Sequence, residues 1–161
     1  MLNLDAGSRL WIYQSSRELT EDEVKWVAEE LKAFTDQWDA HGKKLSADAE
    51  IRYKRFVLIA VDERMEMPSG CSIDKSVHVL KQAGIKLGID FFDRTQVACR
   101  TGDQIRTFDF RQCRELLEGG ELTRETVIFD NTIQKLQQLD SEWMKPLKES
   151  WLKKYLNTEK V

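Results

Sequence analysis

The chain has no apolar run long enough to concern a bilayer. Its longest, Phe56 to Val61, is six residues, whereas a helix needs about 20 to cross the hydrocarbon core. No membrane partner is expected. The first 25 residues hold Asp5, Arg9, Arg17, Glu18, Glu21, Asp22 and Glu23 and lack the apolar stretch of about 7–15 residues that a secretory signal needs, so the expected location is cytoplasmic. Cysteine is scarce: Cys71, Cys99 and Cys113 are odd in number, widely spaced and form no C-x-x-C, which fits reduced thiols better than a disulfide framework. With only His41 and His78 besides, a structural zinc site is not expected; no metal and no cofactor is expected. Two prolines and eight glycines exclude collagen-like, mucin-like and linker chains. Neither charge sign dominates. The 25 Lys plus Arg against 28 Asp plus Glu leave a net charge of −3, which makes no electrostatic case for nucleic acid as a partner.

What is present is the profile of a folded protein: 41% hydrophobic, 33% charged and 9% aromatic residues over 161 positions. A chain of this length buries about 68–70% of its unfolded surface. With no linker, repeat or low-complexity tract, a single domain over residues 1–161 is the simplest organisation.

Leu10 to Gln14 is rich in strand formers and reads as the first strand. Thr20 with Glu23 three residues later forms a capping box, and Val24, Val27, Leu31, Phe34 and Trp38 recur at helical spacing, predicting a helix over about Glu21–Trp38. Ile51 to Val61 reads as one strand passing from a half-exposed edge to the sheet centre. Ile73, Val77, Leu80 and Leu87 mark a second helix after the Glu63–Gly70 loop. Asp90 to Arg100 and Gln104 to Phe108 form a predicted hairpin about Thr101-Gly102-Asp103. A short helix follows through Leu117, ending on Gly119-Gly120, then a strand at Thr126–Phe129. From Asn131 onward, Ile133, Leu136, Leu139, Trp143, Leu147, Trp151 and Tyr155 continue a helical stripe, so Asn131–Val161 is predicted to be a helical segment kinked near Pro146 and packed on the core. The fold class is α/β or α+β, with a mixed five-strand sheet in the order β-α-β-α-β-β-α-β-α. Were the first three strands parallel, the loops after strands one and two would open at one sheet edge.

That edge gathers the candidate site. Ser69-Gly70-Cys71-Ser72-Ile73-Asp74-Lys75 opens the second helix, where unpaired N–H groups and the macrodipole favour anions and lower a thiol's pKa. Cys71 is thereby a candidate nucleophile, although Ser72 or Cys71 could simply cap the helix, and no histidine lies at an obvious base spacing. Ser72 and Lys75 match S-x-x-K, without the S-D-N and K-T-G that accompany it in serine enzymes. His78 can meet Asp74 one turn away. Asp62 after strand two, joined by Asp130 if the last strand is also parallel, could hold Mg²⁺ against a phosphate whose oxygens Arg17, after strand one, and the start of the second helix would bind. An Asp at a strand end also serves to satisfy loop N–H groups.

The segments Trp11-Ile-Tyr-Gln-Ser, Ile51-Arg-Tyr-Lys-Arg-Phe, Ser69-Gly-Cys-Ser-Ile-Asp-Lys-Ser-Val-His78, Val127-Ile-Phe-Asp-Asn131 and Trp143-Met-Lys-Pro-Leu-Lys-Glu-Ser-Trp151 resemble a family of uncharacterised bacterial proteins. Its most specific block is Gly-Cys-Ser-Ile-Asp, and its members are often labelled "ABC transporter ATPase". They commonly carry Ser where this chain has Lys75, which weakens the Ser-Lys reading. The label is not supported by the residues. Such an ATPase needs G-x-x-x-x-G-K-[ST] to cradle phosphates, and Gly42-Lys43-Lys44 is the nearest approach.

The sequence therefore points to non-catalytic binding of a small anionic ligand or a protein partner near Gly70–Ser72, with Arg17, Asp62, Gly70, Cys71, Ser72 and Asp74 as binding candidates. The alternative is a small enzyme, thiol-dependent through Cys71 or Mg²⁺-assisted through Asp62 and Asp130.

Overall fold

Phe56-Val-Leu-Ile-Ala-Val61 is apolar at every position, and such a strand is stable only when both faces are covered. In the computed structural model, which describes residues 2–159 and side chains through Leu156, all six of these residues are buried. The chain is a mixed α and β fold that divides into two compact units, Met1–Asp93 with Asn131–Gln137 and Arg94–Asp130 with Gln138–Val161.

The first unit contains β1 (Arg9–Gln14), α1 (Glu21–Gln37), β2 (Asp39–Ala40), β3 (Lys43–Lys44), β4 (Ala47–Arg52), β5 (Phe56–Val61) and α2 (Gly70–Leu87). Its main sheet has the order β1-β5-β4, and the short β2 and β3 pair separately. Both partners of β5 run antiparallel to it, with Gln14 and Arg52 opposite Phe56 and Arg9 and Ala47 opposite Val61. Val57, Ile59 and Val61 pack with Val27 and Leu31 of α1 and Leu80 and Ala83 of α2. The capping box of α1 forms as predicted from Thr20 and Glu23. Helix α2 ends on Gly88 in the left-handed region, at φ 67°. Gly84 is required by contact: a Cβ there would lie 2.6 Å from the Ile89 carbonyl oxygen.

The second unit contains β6 (Gln96–Thr101), β7 (Gln104–Asp109), α3 (Cys113–Glu118), β8 (Val127–Phe129) and β9 (Met144–Pro146), with the sheet order β7-β6-β8-β9. Its core gathers Val97, Cys99, Phe108, Cys113, Ile128, Leu147 and Leu152.

Four expectations are corrected. Among the described residues the single five-strand sheet is replaced by sheets of three, two and four strands, and every pairing is antiparallel. The strand expected over Ile51–Val61 folds back on itself. Tyr53 and Lys54 adopt φ of 56° and 53°, and the Arg55 N–H donates to the Arg52 carbonyl at 3.1 Å, a tight turn that usually recruits Gly or Asn. The strand expected from Asp90 begins only at Gln96.

The kinked helix over Asn131–Val161 is not formed. The described part holds 3₁₀ turns at Leu136–Leu139, Leu147–Glu149 and Trp151–Glu159 around β9, and residues 160–161 lie outside it. Pro146, with no N–H to donate, takes a place on an edge strand opposite Val127. The stripe is also only half right about burial: Trp143 and Leu147 are fully buried, but Trp151 is 46% exposed and Leu152 occupies the core. Among the described residues no helix is long and apolar enough to cross a membrane.

Trp143 meets Phe129 edge to face at a ring separation of 5.1 Å. Truncating a buried Trp costs about 3–5 kcal/mol, so Trp143→Ala is expected to lower stability by that amount in denaturant unfolding, whereas Trp151→Ala costs less than about 1 kcal/mol. Equal losses from the two would contradict the burial difference.

Candidate functional site

Antiparallel pairing separates the predicted site into two halves. Because β1 and β5 run in opposite directions, the residues leaving β1 stand at the Phe56 end of the sheet and those leaving β5 stand at the other. Arg17 is accordingly found at the end of α2, where its Nη2 donates to the Leu87 carbonyl at 3.1 Å. Gly70 opens the same 18-residue helix, about 25 Å away at 1.5 Å rise per residue. Arg17 also forks onto the Glu23 carboxylate with two bonds of 2.7 Å. This contact, with the Thr20 N–H, holds Glu23 at about 2, against an ordinary 4.5.

The other half is occupied by local partners. The N-cap of α2 is Ser69, not Ser72 or Cys71. The Ser69 Oγ accepts from the Ser72 N–H at 3.1 Å, and the Ser72 Oγ accepts from the Ser69 N–H at 2.7 Å. Ser72 also donates its proton to the Ser69 carbonyl at 2.8 Å, and its own carbonyl accepts from the Trp38 indole at 2.8 Å. Its hydroxyl is thus spent on the cap, while Lys75 is exposed, and no Ser-Lys pair forms. Asp74 and His78 are exposed and are not hydrogen-bonded to each other.

Asp62 is bound by Arg64 through Nε to Oδ1 at 3.0 Å and Nη2 to Oδ2 at 2.8 Å. Those bonds and the Arg64 N–H hold its carboxyl below the usual range. Asp130 belongs to the second unit. Among the described residues no three His, Cys, Asp or Glu side chains gather as metal ligands. Cys71 is exposed, and Cys99 and Cys113 are buried.

The second unit carries a feature that sequence reasoning did not find: a cleft of about 320 Å³. Cys99 and Arg106 face each other across the β6–β7 ladder. Cys99, Phe108 and Leu116 supply apolar lining, and Arg106, Gln112 and Glu121 supply polar groups. Burial pushes the Cys99 thiol up, with the Arg106 charge opposing in part, so at neutral pH it is a protonated wall and not a nucleophile. Asp109 is also in the lining, but its carboxylate is taken by Arg111, which holds it at about 2. The side chains of Arg106 and Glu121 make no ion pair among the described residues. A turn over Thr101-Gly102-Asp103 would set Cys99 opposite Ile105; the actual two-residue turn, with Thr101 paired to Gln104, sets it opposite Arg106, and nothing in the sequence brings Leu116 or Glu121 to them.

No protein-family model, curated protein or solved structure matches the chain.

Two outcomes follow from this geometry. Timed alkylation with mass mapping should modify Cys71 first, with Cys99 and Cys113 protected by burial and by thiols pushed upward; early labelling of either would contradict their placement. For Glu23, a folded-state value of about 2 below an ordinary 4.5 means that its contribution to stability is complete above the ordinary value and is lost as pH falls from there toward 2. Glu23→Gln should flatten the melting temperature over that acid range, and an unaltered acid limb would show that the Arg17 fork adds nothing.

Proposed function

We propose that this chain is a non-catalytic binding protein for a small ligand bearing an anionic group, held in the cleft of the second unit. The observation that carries the reading is the pairing of an apolar floor with two opposite charges that make no ion pair among the described residues, Arg106 and Glu121. Ligand pockets are typically about 300–1,000 Å³, largely apolar, with a few polar groups that fix orientation, and about 320 Å³ stands at the small end. Arg106 suits a carboxylate, which its planar fork binds through two oxygens. Glu121 disfavours a simple anion and favours a cationic group at the ligand's other end. The best-fitting class is therefore a small zwitterion with an apolar body, of which a free amino acid is the simplest.

Three points support binding over catalysis. Cys99 is held protonated. Cys71 and His78 are seven residues apart on α2, about 10 Å along the axis, too far for a thiol and its base. Asp62 is committed to Arg64. The Gly-Cys-Ser-Ile-Asp block that carries the bacterial-family resemblance forms the first turn of α2, and the binding reading does not draw on it.

The test is an amide-shift titration with L-leucine, 4-methylpentanoate and isoamylamine. Leucine should shift Arg106, Thr107 and Gln112 most, the two singly charged analogues should bind at least tenfold more weakly, and Arg106→Gln should remove the response. Absence of any shift at these amides, or equal response to all three, would sink the reading.

A further inference from the structure

Two buried residues of the first unit, joined through their backbones, carry side-chain donors with no acceptor among the described residues. Arg55 is 9% exposed, and its Nε is shut off from solvent and bonded to nothing. The guanidinium makes no ion pair among the described residues. Burial presses its pKa downward, and the negative charge of Glu18 opposes this only through space. Ser15, 0% exposed, accepts the Arg17 N–H on its Oγ at 3.4 Å, and its own proton finds no acceptor among the described residues.

The backbone holds the two together. The Ser15 N–H donates to the Arg55 carbonyl at 2.7 Å, and the Leu19 N–H donates to the Lys54 carbonyl at 2.7 Å. The turn at Tyr53-Lys54 and the linker from β1 to α1 are thereby closed onto each other. Two neighbouring pairs are matched, Arg17 with Glu23 at 2.7 Å and Lys54 with Glu21 at 3.4 Å. Arg55, the exposed Glu18 and the exposed Asp90, whose N–H donates to the Ser16 Oγ at 2.9 Å, have no ion pair among the described residues.

We propose that Arg55 and Ser15 form a binding site for a small oxyanion at the exit of β1, separate from the cleft of the second unit. A guanidinium stays protonated even when buried, and a buried charge without a hydrogen-bonded partner is costly; an oxyanion accepts from guanidinium and hydroxyl together and removes that cost. Phosphate and carboxylate share this chemistry. Glu18 sets the threshold, since its negative charge near the same guanidinium opposes any arriving anion. The rival account makes Glu18 the resident counter-ion, closing on Arg55 in solution.

The test is an amide-shift titration of the full chain with inorganic phosphate and, separately, with acetate. The expected result is a saturating shift at Ser15 to Glu18 and at Arg55, with a midpoint of about 1 mM, for one anion more tightly than the other, which distinguishes a phosphate ligand from a carboxylate. Glu18→Gln, an exposed change that leaves the fold intact, should tighten binding several-fold. Ser15→Ala should weaken it, and Arg55→Met should abolish it while leaving shifts elsewhere unchanged. The proposal is overturned if neither anion shifts these amides in the wild type or in Glu18→Gln at tens of millimolar. It is also overturned if the shift survives in Arg55→Met, or if Glu18→Gln lowers the melting temperature and leaves anion affinity unaltered.

Discussion

The antiparallel pairing of β5 with both its neighbours decides where everything else in the first unit can stand. A strand of six apolar residues has to be central, and with β4 reached through a tight turn it has to be flanked by an antiparallel hairpin partner. β1 then occupies the remaining edge in the same antiparallel sense. From that sense it follows that the linker into α1 and the loop into α2 leave from opposite ends of the sheet. A site drawing on both ends is geometrically closed to this chain. The chemistry separates accordingly, with donors at the β1 exit and capped or paired groups at the β5 exit.

A local device recurs where strands end. Asp62-Glu63-Arg64 follows β5, and Asp109-Phe110-Arg111 closes β7. In each, the Asp accepts from the backbone N–H two residues on, at 3.1 and 2.9 Å, and its carboxylate is gripped by the Arg of that same residue. Such an Asx turn stops the strand and directs the chain away, and the added guanidinium neutralises the carboxylate. Both Asp residues resemble ligands when seen as lone acids at a strand terminus. Both are internally satisfied, and the charge available to a partner is set by the Arg and Glu residues that have no such neighbour two positions away.

The elements legible in the sequence were those announced by their own residues. Thr20 and Glu23 marked the start of α1, and Thr101-Gly102-Asp103 marked the β6–β7 turn. What escaped had no local sign. Arg52-Tyr53-Lys54-Arg55 turns tightly with two left-handed residues and no Gly, Asn or Asp to show it, the strain being offset by the pairing of β4 with β5. After Asn131, spacings of three and four fit an α-helix or successive 3₁₀ turns equally well, and the partnership of β8 with Met144–Pro146 decided between them through contacts far apart in the chain. Of the candidate site, the residues were assigned correctly to strand ends and a helix start, but their convergence rested on a parallel sheet that does not exist. Arg55 was hidden for a related reason: read within a continuous strand, it was an ordinary alternating residue, and only the turn makes it a buried cation.

Arg106 and Arg55, neither of which makes an ion pair among the described residues, differ in what their surroundings do to an incoming anion. Arg106 lies exposed on a strand beside an open cleft, so its attraction is screened by mobile ions over a distance of about 8 Å at physiological ionic strength, and the apolar floor has to supply much of the affinity. Arg55 is buried, where a charge is screened far less and a hydrogen bond to it is stronger. An anion reaching it has to shed its own water and meets Glu18 on the way. In the proposed cleft site, ligand shape and a balancing positive charge therefore decide selectivity, because Coulomb attraction alone is weak there. In the proposed site at Arg55, compactness and acceptor geometry decide it, because only an ion small enough to meet guanidinium and hydroxyl together recovers the hydration it gives up.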